Sequence, residues 1–160
     1  MAKKSAGILV YRFRNGSPEV FLVHPGGPFY ARKDLGVWTI PKGEFTEEDP
    51  DAAARREFTE ETGITIRKAM EYLCQNKQKS GKLVFCFCVE EDIDISDLKS
   101  NVFELEWPPG SGKKQTFPEI DQGQWFPVTA ASEKIHRDQV IFLNVLSEKL
   151  KFQHSFHSKS

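Results

Sequence analysis

Residues 55–64 read RREFTEETGI, and the charged groups Arg55, Arg56, Glu57, Glu60 and Glu61 crowd into that single stretch. The residues before it start a helix. Asp49 suits an N-cap, Pro50 the first helical position, and Asp51 the positive end of the dipole. Ala52 to Ala54 are strong helix formers, and Gly63 is a C-terminal stop. The spacing therefore predicts a helix over about residues 50–62. With Glu57 at zero on a wheel of about 100° per residue, Glu60 and Glu61 fall at about −60° and +40°. All three acids share one face, with Ala54 and Phe58 flanking it on one side. Acids in the last turn oppose the macrodipole and repel one another, at a combined cost on the order of 1–2 kcal/mol. Two readings follow. The plain one is a solvated face whose repulsion Arg55 and Arg56 soften. The functional one is a site for a hard dication, which prefers oxygen ligands and reverses the sign of that repulsion.

The rest of the chain bounds the choice. Its 160 residues favour one domain, placed at 1–152 with a flexible tail at 153–160. Lys and Arg number 22 against 23 Asp and Glu, a net charge of −1, which argues against a protein built to grip a nucleic-acid backbone. Cys74, Cys86 and Cys88 are odd in number and do not make a secreted disulfide framework; they fit a cytoplasmic chain. MAKKSAGILVYRFR is too short an apolar run for a signal peptide, and no stretch is long enough for a membrane span.

Along the chain, AGILVYRF and PEVFLVHP form two strands around Asn15-Gly16-Ser17. VWTIP (37–41) reads as a short strand, and Lys42, Gly43 and Glu44 open a loop. ITIRKAMEYLCQNKQ (64–78) and KLVFCFCVEE (82–91) read as strands around Ser80-Gly81. VFELEW is a further strand, PPGSGKKQ a loop, FPEIDQGQW loop-like, and QWFPV a strand. From Thr129 the pattern turns helical, with Val140, Leu143, Leu146 and Leu150 on one face. This order predicts an α+β or α/β sandwich with a mixed sheet covered on both faces.

PKGEFTEEDPDAAARREFTEETGI resembles the signature of the Nudix hydrolases, G-x5-E-x7-R-E-U-x-E-E-x-G-U. Arg56, Glu57, Phe58, Glu60, Glu61, Gly63 and Ile64 match it position by position, and Glu48 falls on its earlier glutamate. The glycine stands at Gly43 where the signature puts it on Lys42, so the box at 43–64 has a loop one residue short. The resemblance implies an α/β/α sandwich. It also implies hydrolysis of a nucleoside diphosphate linked to another group, with Mg²⁺, or Mn²⁺ in its place, held by Glu57, Glu60, Glu61 and a carbonyl near Gly43.

By the same resemblance Arg56 orients the acids by ion pairing with Glu48 and Glu57. The general base is Glu60 or Glu119, with Asp121 a weaker alternative; Glu119 also reads as an ordinary loop acid. Lys42, beside the metal loop, is expected to meet the polyphosphate. Arg32 and Lys33 are further phosphate contacts or plain surface charge. Trp38, Phe29, Tyr30 and Trp107 are either base platforms or buried aromatics. The expected partner is a small-molecule nucleotide or phosphorylated metabolite, without nucleic acid or membrane. A catalytically inactive nucleotide-sensing or interaction module on the same fold is the competing reading, and the intact acidic set argues against it.

Overall fold

A computed structural model describes the backbone of residues 3–158 and the side chains of residues 3–151. The tail expected at 153–160 lies outside the residues whose side chains are described. The elements, in chain order, are β1 Lys4–Arg14, β2 Ser17–Pro25, β3 Lys42–Phe45, α1 Pro50–Thr62, β4 Glu71–Lys77, β5 Leu83–Glu90, β6 Val102–Glu106, β7 Lys114–Pro118, β8 Ile120–Pro127, α2 Val128–Lys134 and α3 Val140–Ser158.

β1 is the central strand. It runs parallel to β5 and antiparallel to β2, giving the order β4-β5-β1-β2-β8. Ser5 to Tyr11 are all buried, because both faces of β1 are covered. Ala6, Ile8 and Val10 point to one side and join Phe21, Phe45 and Phe58 beneath α1. Leu9 and Tyr11 point to the other and join Leu22, Trp38 and the Leu143, Leu146 and Leu150 stripe of α3. The period of two along β1 thus divides one sheet between two cores, which is the expected sandwich.

β1 pairs with β2 only through residues 11–14; its first half pairs instead with β3, as Lys4↔Phe45 through Gly7↔Lys42. Between them the chain from Trp38 to Pro41 fills the gap. Val23 and Thr39 exchange backbone bonds of 2.9 and 3.0 Å, and Ile8 N–H reaches the Pro41 carbonyl at 3.3 Å. This wedge corrects two expectations. VWTIP makes only single bridges, Thr39 to Val23 and Trp38 to Ile135, and no strand. Lys42, Gly43 and Glu44, expected as loop, are a strand because β1 supplies a free edge there.

Two further expectations change. The strand expected from Ile64 starts only at Glu71. Before it, side chains take the backbone groups that a ladder would use. Arg55 donates to the carbonyls of Ile66 and Lys68, at 3.0 and 2.8 Å, and Glu91 accepts from the amides of Arg67 and Lys68 at 3.0 and 2.9 Å. FPEIDQGQW is not loop-like. Its first half closes a β6–β7 hairpin and its second begins β8, which pairs with β2.

α1 spans the predicted residues. Asp49 occupies the N-cap with extended backbone but makes no side-chain cap bond, so Pro50 and position alone start the helix. At the far end Gly63 adopts φ 73°, which only glycine takes without strain, and its N–H bonds the Thr59 carbonyl at 2.8 Å. No helix among the described residues is long and apolar enough to cross a membrane. Phe58 is fully buried where α1 meets the sheet. Phe58→Ala is expected to cost about 3–5 kcal/mol in urea unfolding, since the cavity opens under the helix.

Candidate active site

α1 rests on β1 and β3 through Ala53, Ala54 and Phe58, and this docking turns Glu57 and Glu61 toward β3. Gly43 is where Glu57 lands. A Cβ added at Gly43 would stand 1.8 Å from Glu57 Oε2, so the carboxyl occupies the space that any side chain would need. One residue earlier, the Lys42 N–H donates to Glu61 Oε2 at 3.0 Å. Consecutive residues of β3 therefore receive consecutive turns of the helix.

Arg56 gathers the outer acids. Its Nε donates to both oxygens of Glu48 at 2.9 and 3.0 Å, and its Nη1 donates to Glu57 Oε1 at 2.8 Å and Glu60 Oε2 at 3.1 Å. The hydrogen bonds to Glu48 raise the affinity of this guanidinium for its proton, and the same bonds hold the Glu48 carboxyl below its ordinary range. Glu57 is 13% exposed and Glu60 51% exposed, so the acids that shared a wheel face divide in depth. Glu57 and Glu61 lie on β3, whereas Glu60 stands outward on the guanidinium.

Glu61 is the acid of this cluster that is shifted upward. Burial pushes its carboxyl up to about 7; the Lys42 amide and charge pull against this, and Glu57 and Glu119 add to it. Glu119 thus reaches the electrostatic neighbourhood of Glu61 from a different part of the chain. It is the single residue between β7 and β8, not part of a free loop. Its N–H bonds the Asn101 carbonyl and its carbonyl accepts the Gly26 N–H, both at 2.8 Å. Gly26 is required there, because a Cβ would meet the Pro118 carbonyl oxygen at 1.9 Å.

The cations separate. Lys42 is partly buried, and burial followed by the charge of nearby Lys82 lowers its pKa. Lys82 Nζ lies 3.4 Å from Glu44 Oε1. Arg32 and Lys33 lie elsewhere, lining a cavity of about 470 Å³ with His24, Trp38 and Asp121. Sequence reasoning missed two members of this ensemble. His24 is buried between two acceptors, Asp121 Oδ1 at 2.8 Å and the Lys33 carbonyl at 2.7 Å, and so fastens the Gly26–Gly36 loop to β8. Asp121 faces this histidine. The only hint was the polar His24 at the end of an apolar strand. Lys82 carried no local signal at all.

Among the described residues, no three His, Cys, Asp or Glu side chains close on one point as a preformed metal cage. The donor set nonetheless suits a hard dication. It is all oxygen, and its innermost member, Glu61, is raised first by burial and then by the charges of Glu57 and Glu119, a repulsion that a divalent ion would relieve.

The family model described as NUDIX domain matches residues 1–145. The chain belongs to this family, and it is a Nudix hydrolase, of the class that acts on phosphorus acid anhydrides. An RNA pyrophosphohydrolase of Bartonella henselae is 26% identical, over 91% of this chain and 88% of its own length. Among solved structures, the NUDIX domain of Shewanella oneidensis NrtR complexed with ADP ribose has a TM-score of 0.64 at 16% identity, covering 94% of this chain and 89% of its own. The Ap4A hydrolase of C. elegans, as a binary complex, has a TM-score of 0.62 at 22% identity, covering 94% and 98%. These likenesses show the shared α/β/α fold.

The raised Glu61 carboxyl predicts a pH dependence of stability in metal-free protein. Its folded pKa of about 7 exceeds its ordinary 4.5, so the folded state binds the proton more tightly. The favourable contribution is complete below 4.5 and is lost as pH rises through 7. Raising the pH from 4.5 to 8 is expected to remove up to about 3 kcal/mol from this group, seen as a falling urea midpoint. Glu61→Gln is expected to flatten that limb of the profile.

Proposed function

We propose that this enzyme cleaves the diphosphate linkage of a nucleoside diphosphate derivative in a Mg²⁺-dependent reaction, with Mn²⁺ able to substitute. The observation that carries this reading is the seating of Glu57 on Gly43 and of Glu61 on the Lys42 amide, with Glu119 within electrostatic reach. Glu57 and Glu61 would hold the cation, with Glu60 able to join by leaving Arg56. When bound, the ion neutralises phosphate oxygens and lowers the pKa of water.

The chain's own groups supply the remainder. Arg56 fixes the carboxyl of Glu57 from the outer side, which limits the rotamers it samples and keeps its free oxygen toward β3. Glu119 is the better placed of the two general bases. Its backbone is held at both N–H and carbonyl, and among the described residues no ion pair engages its carboxylate, whereas Glu60 has one oxygen occupied by the Arg56 guanidinium. A base at Glu119 takes the proton of the attacking water as the phosphorus–oxygen bond to the leaving phosphate breaks. Lys42 neutralises the polyphosphate beside the acids. Arg32 and Lys33 lie across the Gly26–Gly36 loop, where they would meet the more distant part of the substrate. All three cysteines are free, which supports a cytosolic setting.

The test is a screen of nucleoside diphosphate derivatives and dinucleoside polyphosphates with Mg²⁺, reading phosphate after a coupled phosphatase. Turnover is expected to vanish on chelation and in the Glu57→Gln, Glu61→Gln double variant; hydrolysis surviving in that variant sinks the assignment. Glu119→Gln is expected to lower kcat by about 10²–10⁴ with little change in KM, and Glu60→Gln by less.

A further inference from the structure

The Gly26–Gly36 loop and the β6–β7 hairpin carry a ring pair that belongs to neither core. Phe29 is 59% exposed, and its ring centre lies 5.4 Å from that of Trp107 with the planes 82° apart. Along β6 and just beyond it, Phe103, Leu105 and Trp107 alternate with Val102, Glu104 and Glu106. The first set turns toward the loop, since a Cβ at Gly27 would meet Phe103 Cζ at 2.9 Å. The hairpin therefore leans its apolar face on the loop, and Phe29 and Trp107 make an open corner at the outer end of that contact. The roots of both elements meet at Glu119, where the Gly26 amide bonds its carbonyl and its own amide bonds Asn101. The corner and the proposed base are thus built on the same two elements.

We propose that the Phe29–Trp107 corner seats the nucleobase of the substrate and so selects base-bearing diphosphates over base-free ones. This rests on the reading of Glu119 given above. Perpendicular rings offer a planar group one face to stack on and one wall to abut, the two geometries that aromatic rings prefer. The surroundings favour an anionic ligand over an apolar protein partner. Exposed Arg32 and Lys33 lie on the same loop, with Lys33 Nζ 5.5 Å from the Tyr30 ring centre, and exposed Lys113 and Lys114 follow Trp107 at the hairpin turn. Stacking serves any base, because every base has a π face, so the corner selects for the presence of a base and leaves its identity to other contacts.

The test is titration calorimetry with Mg²⁺, using adenosine and guanosine α,β-methylene diphosphates and base-free methylenediphosphate, none of which needs turnover to report binding. Wild type is expected to bind the nucleoside analogues at least about tenfold more tightly than methylenediphosphate. Phe29→Ala is expected to lose about tenfold for the nucleoside analogues and nothing for methylenediphosphate, while Phe29→Tyr retains the preference. Phe29 is exposed, so folding is checked simply by an unchanged far-UV spectrum. Equal affinities in wild type, no measurable binding of any analogue, or unchanged affinities in Phe29→Ala would overturn the proposal. So would a sedimentation change on Phe29→Ala that marks the corner as a contact with a second copy. A base preference with no hydrolysis in the metabolite screen would instead place the failure in the catalytic reading.

Discussion

The Glu61 carboxyl pressed against the Lys42 amide, one residue from the place where Glu57 fills the missing side chain of Gly43, is the contact on which the site depends. It joins a short edge strand to the last turn of a helix whose acids oppose its own dipole. α1 could not sit this close over a residue with a side chain, and β3 would have no reason to order without the free edge of β1. Position 43 is therefore fixed by sterics. The acids gain from proximity to main-chain N–H, and they lose from burial and from one another. Glu61, raised to about 7, records that balance.

Arg56 resolves the conflict only on the outer side. Three of its contacts reach Glu48, Glu57 and Glu60, all exposed or partly so, where each pair contributes little by itself and the network mainly fixes geometry. The inner side keeps its excess of negative charge. A helix with this arrangement is less stable alone than a neutral one, and that residual repulsion is what a divalent ion and a polyphosphate together would use. The docking energy of Phe58 and the two buried alanines offsets it.

The helix, its Gly63 stop and the shared acidic face were legible because all are local: periodicity, capping preferences and spacing lie within one short window. The sheet covered on both faces was legible from the order of strands and helices along the chain, whereas the division of β1 between two cores was not. What escaped reading was non-local. KGE looks like loop because Gly and Lys favour strands weakly, and only pairing with residues 4–7 makes it β3. Ile64 to Met70 looks like strand because its isoleucines alternate, yet Arg55 and Glu91 capture its backbone from distant positions. VWTIP is apolar enough for a strand but is spent as a wedge between diverging β1 and β2. His24 and Asp121 meet across 97 residues, and no single-sequence pattern links them. Glu119 was visible as an acid, but its rigid position between two strands was not.

The most direct measurement is calorimetric titration of Mn²⁺ into the protein near pH 6, repeated in buffers of different ionisation enthalpy. Burial pushes the Glu61 carboxyl up to about 7, so at that pH it is expected to hold a proton that a bound cation must expel. Binding heats that change with the buffer, corresponding to release of close to one proton and lost in Glu61→Gln, are expected. Binding that releases no proton, or that is unchanged in Glu61→Gln, would contradict a metal site built on the Glu61–Lys42 contact.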